Sequence, residues 1–386
     1  MRAQSFLKSL RVAMLMLFIA ECSSRSENAA AENSAAATTS QYFFITSFRH
    51  NTAGTLYVFR KSQTACDLTQ VSTHTLGTNP FDLTYDQRGF LYVANESSSN
   101  ISVFQFNKST GTLTALGSPV TQTGPGTTLP YGIAIHQSGW VYVVDGQNPG
   151  SIGYFQQNQT TGAITQVTPT GHLAFGGGNR VWFPAIYGSR NHFYATMYDT
   201  GRVNLYEVNT GTGALTAHAT PFVTAGTNPW EIVFHPTGNF IYVANYGSAN
   251  ISQYSVTAGT GLITALTPAT VAAGTNPISL AVGTKFLYAG SFNNGAAGGV
   301  YGYAIDQATG ALTATAQANI ALPAPGVYGM ALDKDASCLY VARSDYNGTN
   351  DGEDVRIFSI NNTTGALTAA GSVSAGEGPR FIKLAY

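Results

Sequence analysis

Charge is what this 386-residue sequence has least of: 18 Lys and Arg face 19 Asp and Glu, 10% of the chain, for a net charge of −1. Ordinary soluble domains carry about a quarter of their residues charged. The deficit removes any basic footprint for nucleic acid. It leaves the surface to Thr, Ser, Asn, Gln and Gly, a composition suited to β proteins outside the cytoplasm. Cysteine is also scarce. Cys22, Cys66 and Cys338 are too few for a disulfide framework and lack zinc-ligand spacing. Cys66 and Cys338 fall in adjacent repeats and on the same face, where pairing is one reading; with one near an outer strand and the other near an inner turn, two free, packed thiols are the favoured one. No stretch beyond residue 41 keeps a helical period. G-x-S-x-G, H-E-x-x-H, Cys-x-x-Cys and phosphate-cradling loops are all missing.

Long apolar runs are missing too. Val12 to Ala20 is nine residues, whereas a bilayer span needs about 20. Arg2, Lys8 and Arg11 precede that run, so residues 1–22 read as an export signal. Cys22 follows it closely, as in a bacterial lipoprotein signal, although Glu21 stands where that pattern has a small residue. Lipidation of Cys22 and plain signal cleavage near Ala29-Ala30-Ala31 are the two readings. Residues 23–41, rich in Ala and Ser, form a disordered tether. The expected location is the periplasm or the cell surface, with membrane contact only through the lipid.

Repetition is what the sequence has in plenty. FLYVANESSSNISVFQFNKSTGTLTAL (90–116) and FIYVANYGSANISQYSVTAGTGLITAL (240–266) are nearly one text. Further copies start at Tyr42, Trp140, Phe193, Phe286 and Leu339, and a Thr-Gly turn recurs at Gly111, Gly162, Gly213, Gly261, Gly310 and Gly365, 48 to 55 residues apart. Each unit holds four short runs with strand character, separated by Gly, Asn, Asp and Pro. Four strands per unit, seven units and no helix predict an all-β seven-bladed β-propeller over residues 42–386, its blades four-stranded and antiparallel. The first unit lacks an inner strand, and FIKLAY (381–386) follows the last, so the C-terminal strand is expected to close blade one.

The YVAN text and the T-G-x-L-T turns resemble the bacterial lactonase-type seven-bladed propeller family, and the repeats are similar to YVTN repeats of cell-surface proteins. The resemblance covers residues 42–386. It implies the propeller fold, with 6-phosphogluconolactonase the family's best-known activity and muconate-cyclising enzymes among its relatives. Family enzymes typically carry Pro-Arg-His entering an inner strand and Asn-Glu after the second strand of the same blade. Here Gly378-Pro379-Arg380 is followed by Phe381, and Asn95-Glu96 belongs to the neighbouring blade.

Aligning the units places Phe81, Tyr131, Trp182, Trp230, Ile278, Tyr328 and Arg380 at the entry to each inner strand. Asp82, Gly132, Phe183, Glu231, Ser279, Gly329 and Phe381 follow. Phe81, Phe183 and Phe381 are expected to pack blade against blade. Trp182, Trp230, Tyr131 and Tyr328 either do the same or line a ligand site. Asp82 and Glu231 either accept hydrogen bonds from turn amides or activate water, with Arg180 or Arg380 stabilising an oxyanion. The loops after the second strands add Asn95, Glu96, Asp145, Asp199, Asn245 and Arg343 to that face. Asp345 to Asp354 is acidic, but its spacing does not match a calcium loop, so no cofactor or metal is expected. His136, His235, Asp86 and Asp333 should cap turns on the opposite face. These features favour an exported, monomeric propeller of the cell envelope that binds a small-molecule or protein ligand at the channel mouth. The alternative is a lactone hydrolase or related cyclase acting there.

Overall fold

The computed structural model describes residues 40–48, 51–124, 128–167, 172–188, 190–293, 296–345 and 354–385. The export signal, Cys22, nearly all of the tether and residues 346–353 of the acidic loop lie outside the described residues. From Gln41 onward the chain forms one compact unit. Its strands make seven antiparallel sheets, with no α-helix among the described residues. Closure is as the sequence predicts. Pro379–Ala385 is the inner strand of blade 1 and pairs with Tyr42–Ser47, which continues to Ala53–Lys61 and the outer Leu68–Thr78.

The burial pattern explains the strand sequences. Second strands are covered on both faces by neighbouring blades, so Phe90–Asn95, Trp140–Asp145 and Phe240–Asn245 are buried at every residue and read as continuous apolar text. Outer strands face solvent. Leu215–Thr224 is mostly exposed, and Pro221 within a bulge of its pairing to Arg202–Val208 blunts an edge that would otherwise pair with another chain. Entry to the inner strands uses Asn in the left-handed region followed by Pro: Asn79, Asn228 and Asn276 have φ of 51–52°. Asn tolerates that conformation because its short amide bonds locally.

Adjacent blades meet through a repeated contact. The Thr-Gly glycine of each of blades 2 to 7 lies on the first residue of the preceding blade's second strand: Tyr42, Phe90, Trp140, His192, Phe240 and Phe286 in turn. These glycines have φ of +71 to +76°, and a Cβ there would run into the ring. Two residues along, a tyrosine hydroxyl donates to the same glycine's carbonyl at five of these seams, from Tyr92, Tyr142, Tyr194, Tyr242 and Tyr288, at 2.6–2.9 Å. Phe44 holds the tyrosine's position at the seam between blades 1 and 2.

The seventh seam departs from this, and there the sequence expectation for the cysteines is overturned. Cys66 and Cys338 are joined in a disulfide, their Cα atoms 5.6 Å apart. Assigning one to an outer hairpin and the other to an inner turn argued for separation. In the fold, however, each outer hairpin packs on the start of the preceding blade's second strand, so these two positions are neighbours.

Candidate active site at the channel mouth

Each inner strand carries a β-bulge in its pairing with the second strand, and the bulge falls on the two aligned mouth positions. Pro80 pairs with Asn95 and Leu83 with Val93, leaving Phe81 and Asp82 against a single partner residue; Pro229 and Ile232 bracket Trp230 and Glu231 in the same way. A bulge re-aims side chains that a regular strand would present to alternate faces. Here it carries the second position of each blade toward the next blade and the channel.

Seven such positions form one layer. Gly132 and Gly329 lie directly against the next blade's backbone, at Trp182 O and Arg380 O, where a Cβ would not fit, and Ser279 bonds the Glu231 carboxyl. Phe183, Phe381, Asp82 and Glu231 carry the larger side chains of the layer. The Phe183 and Phe381 rings, from blades 4 and 1, meet across the channel 5.9 Å apart, with Phe81 at 6.1 and 5.1 Å from them. By blade order, Asp82 lies to one side of this ring pair and Glu231 to the other. The packing expected of the three phenylalanines is therefore found.

Asp82 accepts from its neighbour Leu83 N (2.8 Å) and from Ile133 N of blade 3 (2.9 Å). Glu231 accepts from Leu280 N of blade 6 at 2.6 Å. Both bridge to the next blade; the amides they hold belong to inner strands, not to turns as the sequence suggested. Each is half-buried and so keeps part of its surface open. Burial raises the Asp82 carboxyl to about 6, against the pull of Lys383 and the two amides. Burial raises Glu231 further, to about 8, with the Asp82 charge adding to the rise while Leu280 N–H, Lys383 and Ser279 oppose it. Near pH 7, Asp82 is therefore mostly ionised and Glu231 mostly protonated.

The remaining mouth residues divide by what they hold. Trp182, Trp230 and Tyr131 are 8–9% exposed and Tyr328 is 2% exposed. They form a packed belt, with Tyr131–Trp182 at 4.8 Å, Trp182–Trp230 at 4.1 Å and Tyr328–Phe381 at 5.7 Å. Arg380 is buried, its guanidinium 3.4 Å from the Phe48 ring centre and 4.4 Å from that of Tyr328. Arg180 is bound to Asp199 through three nitrogen–oxygen contacts of 2.6–3.1 Å and stacks on Tyr198. Arg343 is buried against Asp354 (2.9 Å) and the carbonyls of Pro323, Ala324 and Pro325, pinning both ends of a loop. Asn95 accepts from Gly77 N and donates to Asn100 Oδ1 and Ser102 Oγ, and Asn245 repeats this with Gly226, Asn250 and Ser252. Asp145 binds the amides of Leu129 and Gln147. Glu96, partly exposed, accepts from the Tyr131 hydroxyl at 3.1 Å.

On the opposite face the capping reading holds. Asp86 accepts from Phe90 N, Asp333 from Ser337 N and Cys338 N, and His136 and His235 bond Ser138 and Thr237 within their own turns. A cleft of about 540 Å³ lies there, between Tyr85, Arg88, His136 and Gln137, away from the two raised carboxyls. Among the described residues, no group of three or more His, Cys, Asp and Glu is arranged to hold a metal ion.

Three residues escaped the sequence reading. Lys383 acts on both carboxyls, yet its position in the alignment is Thr84, Ala134, Ala185, Val233, Ala281 and Ala331 elsewhere. A lone cation among small residues was the available signal. Tyr198 and Tyr246 directly follow their second strands, remain partly exposed and stack on Trp182 (5.1 Å) and Trp230 (5.6 Å).

A family model described as lactonase, seven-bladed β-propeller, matches residues 17–130, 144–279 and 286–385. No protein of curated function matches the sequence. Among solved structures, a candidate 6-phosphogluconolactonase of Bacteroides fragilis superposes with a TM-score of 0.77 at 20% identity, covering 91% of this chain and 99% of that one. One from Bacteroides uniformis gives 0.74 at 17% identity, covering 90% and 100%. The periplasmic gluconolactonase PpgL of Pseudomonas aeruginosa gives 0.71 at 15% identity, covering 89% and 99%. Likeness at these identities speaks for the fold alone.

Proposed function

Since the chain belongs to the lactonase family of seven-bladed β-propellers, we propose that it is an exported lactone hydrolase with Asp82 and Glu231 as its working pair. The observation that carries this reading is their opposed protonation on one channel layer, about 6 for one carboxyl and about 8 for the other. Environments that push two carboxyls apart assign a base and an acid. Asp82 takes a proton from the attacking water as its oxygen bonds the lactone carbonyl carbon. Glu231 gives its proton to the ring oxygen as the carbon–oxygen bond breaks, and a hydroxy acid leaves. Lys383, which acts on both carboxyls, supports the charge on Asp82. A lactone ring resting on Phe183 and Phe381 has one carboxyl at each side, and the Trp182, Tyr198, Trp230 and Tyr246 rings border it.

The arginines bear on the substrate. Arg180 and Arg343 are each committed to a carboxylate, and Arg380 is enclosed by rings. That arrangement favours an unphosphorylated sugar-type lactone over a phosphorylated one. Export is supported by the N-terminal signal and by the Cys66–Cys338 disulfide, since such bonds persist in oxidising compartments. A non-catalytic binding module of the envelope has less support, because the mouth aromatics are packed on one another rather than displayed. The test is acid release from a panel of lactones, with and without phosphate, in weakly buffered indicator. Hydrolysis lost in Asp82→Asn and Glu231→Gln supports the assignment, and parental rates in both variants overturn it.

A further inference from the structure

Six seams of the ring are built from glycine against the first residue of a second strand, and the seventh from two cysteines in the same two positions. The turn hydrogen bonds fix the equivalence. Asn158, Asn209 and Asn361 donate to the residue just after the turn glycine, and Ser62 donates to Asp67, just after Cys66. The Tyr340 hydroxyl donates to the Cys66 carbonyl at 2.9 Å, as the other tyrosines do to glycine carbonyls. Cys338 opens its second strand where Phe90, Trp140, His192, Phe240 and Phe286 open theirs. Ring and glycine are thus exchanged together: without a ring, the turn residue can carry a Cβ, and the two sulfurs occupy the vacated space.

This seam is also the one between chain ends, where the ring depends on the C-terminal strand docking beside Tyr42–Ser47. Other contacts gather there. The Lys61 ammonium lies 3.5 Å from buried Asp333, Phe43 packs on Tyr340 at 4.3 Å, and Lys334 N donates to Gln41 Oε1. Cys66 is partly exposed on its hairpin while Cys338 is buried, so one sulfur is within reach of an exchanging thiol.

We propose that the Cys66–Cys338 bond is a redox clasp on the closing seam, and that its reduction loosens that seam ahead of the other six. Closing it removes two electrons and two protons from the thiol pair, which pass to a disulfide oxidant that becomes a dithiol. A dithiol reductant reverses the step. The bond ties residues 272 apart in sequence, so it restrains a long loop of the unfolded chain.

The test is hydrogen exchange and melting of the exported full-length protein, oxidised and after dithiothreitol, beside two double variants. Reduction and the Cys66→Ser/Cys338→Ser pair should each lower Tm by roughly 5–10 °C. Amide exchange should rise first in Tyr42–Ser47 and Pro379–Ala385, with Phe240–Asn245 unchanged. Cys66→Gly/Cys338→Phe, which rebuilds the contact of the other seams, should recover most of the loss and melt identically with or without reductant. Free thiols at Cys66 and Cys338 in the native oxidised protein, located by alkylation and peptide mapping, or exchange that rises equally in all blades on reduction, would overturn the proposal.

Discussion

Blades 2 and 5 are near copies, and their difference isolates where chemistry enters a repeated scaffold. Both use FxYVAN second strands. Both tie the following hairpin with one asparagine amide, Asn95 or Asn245, at matching distances. Both put a carboxyl on the inner-strand bulge and use it to hold an amide of the next blade. Yet the Asp82 carboxyl sits at about 6 and the Glu231 carboxyl at about 8. Burial is the first cause in each, and the ionised Asp82 then works against a second charge on Glu231. Repetition supplies the frame, and single positions within it supply the asymmetry that acid–base chemistry needs.

The sharpest way to break the comparison is to neutralise one member at a time. Asp82→Asn removes the proposed base, and lactone hydrolysis should fall about 10³-fold; Glu231→Gln should fall nearer 10²-fold, both measured as kcat/KM at pH 7. The amide ties should respond alike. Asn95→Ala and Asn245→Ala each strand buried partners and should each cost about 2 kcal/mol in urea unfolding, with equal losses in the two blades. Stability against pH should distinguish the carboxyls. The folded protein keeps protons that the unfolded chain releases near pH 4, so each carboxyl's contribution is complete below that and lost as pH rises, through about 6 for Asp82 and about 8 for Glu231. Glu231→Gln should therefore be more stable than the parent at pH 9, by about 2 kcal/mol after allowance for water in the channel. Smallest are the seam hydroxyls: Tyr92→Phe and Tyr242→Phe should each cost about 1 kcal/mol.

The fold was legible because it is written seven times. Strand number, closure by the C-terminal strand and the capping roles of Asp86, Asp333, His136 and His235 all follow from alignment of the units. The site was legible only as positions. Alignment put Asp82 and Glu231 in one layer, but the different protonation of the two depends on burial and on Lys383, which comes from the chain end. The arginines show the limit from the other side. Arg180, Arg343 and Arg380 look alike as mouth cations in the sequence, and only packing commits each to a carboxylate or a ring. The disulfide was passed over although alignment put Cys66 and Cys338 in adjacent blades, because one was assigned to an outer strand and the other to an inner turn, and only the packing of the seam brings those two positions together.

The most direct test of the central claim is the pH dependence of kcat/KM on a hydrolysed, unphosphorylated lactone. The account predicts a bell rising through pH about 6 and falling through about 8, with the low-pH limb absent in Asp82→Asn and the high-pH limb absent in Glu231→Gln. A bell that keeps both limbs in both variants would contradict it.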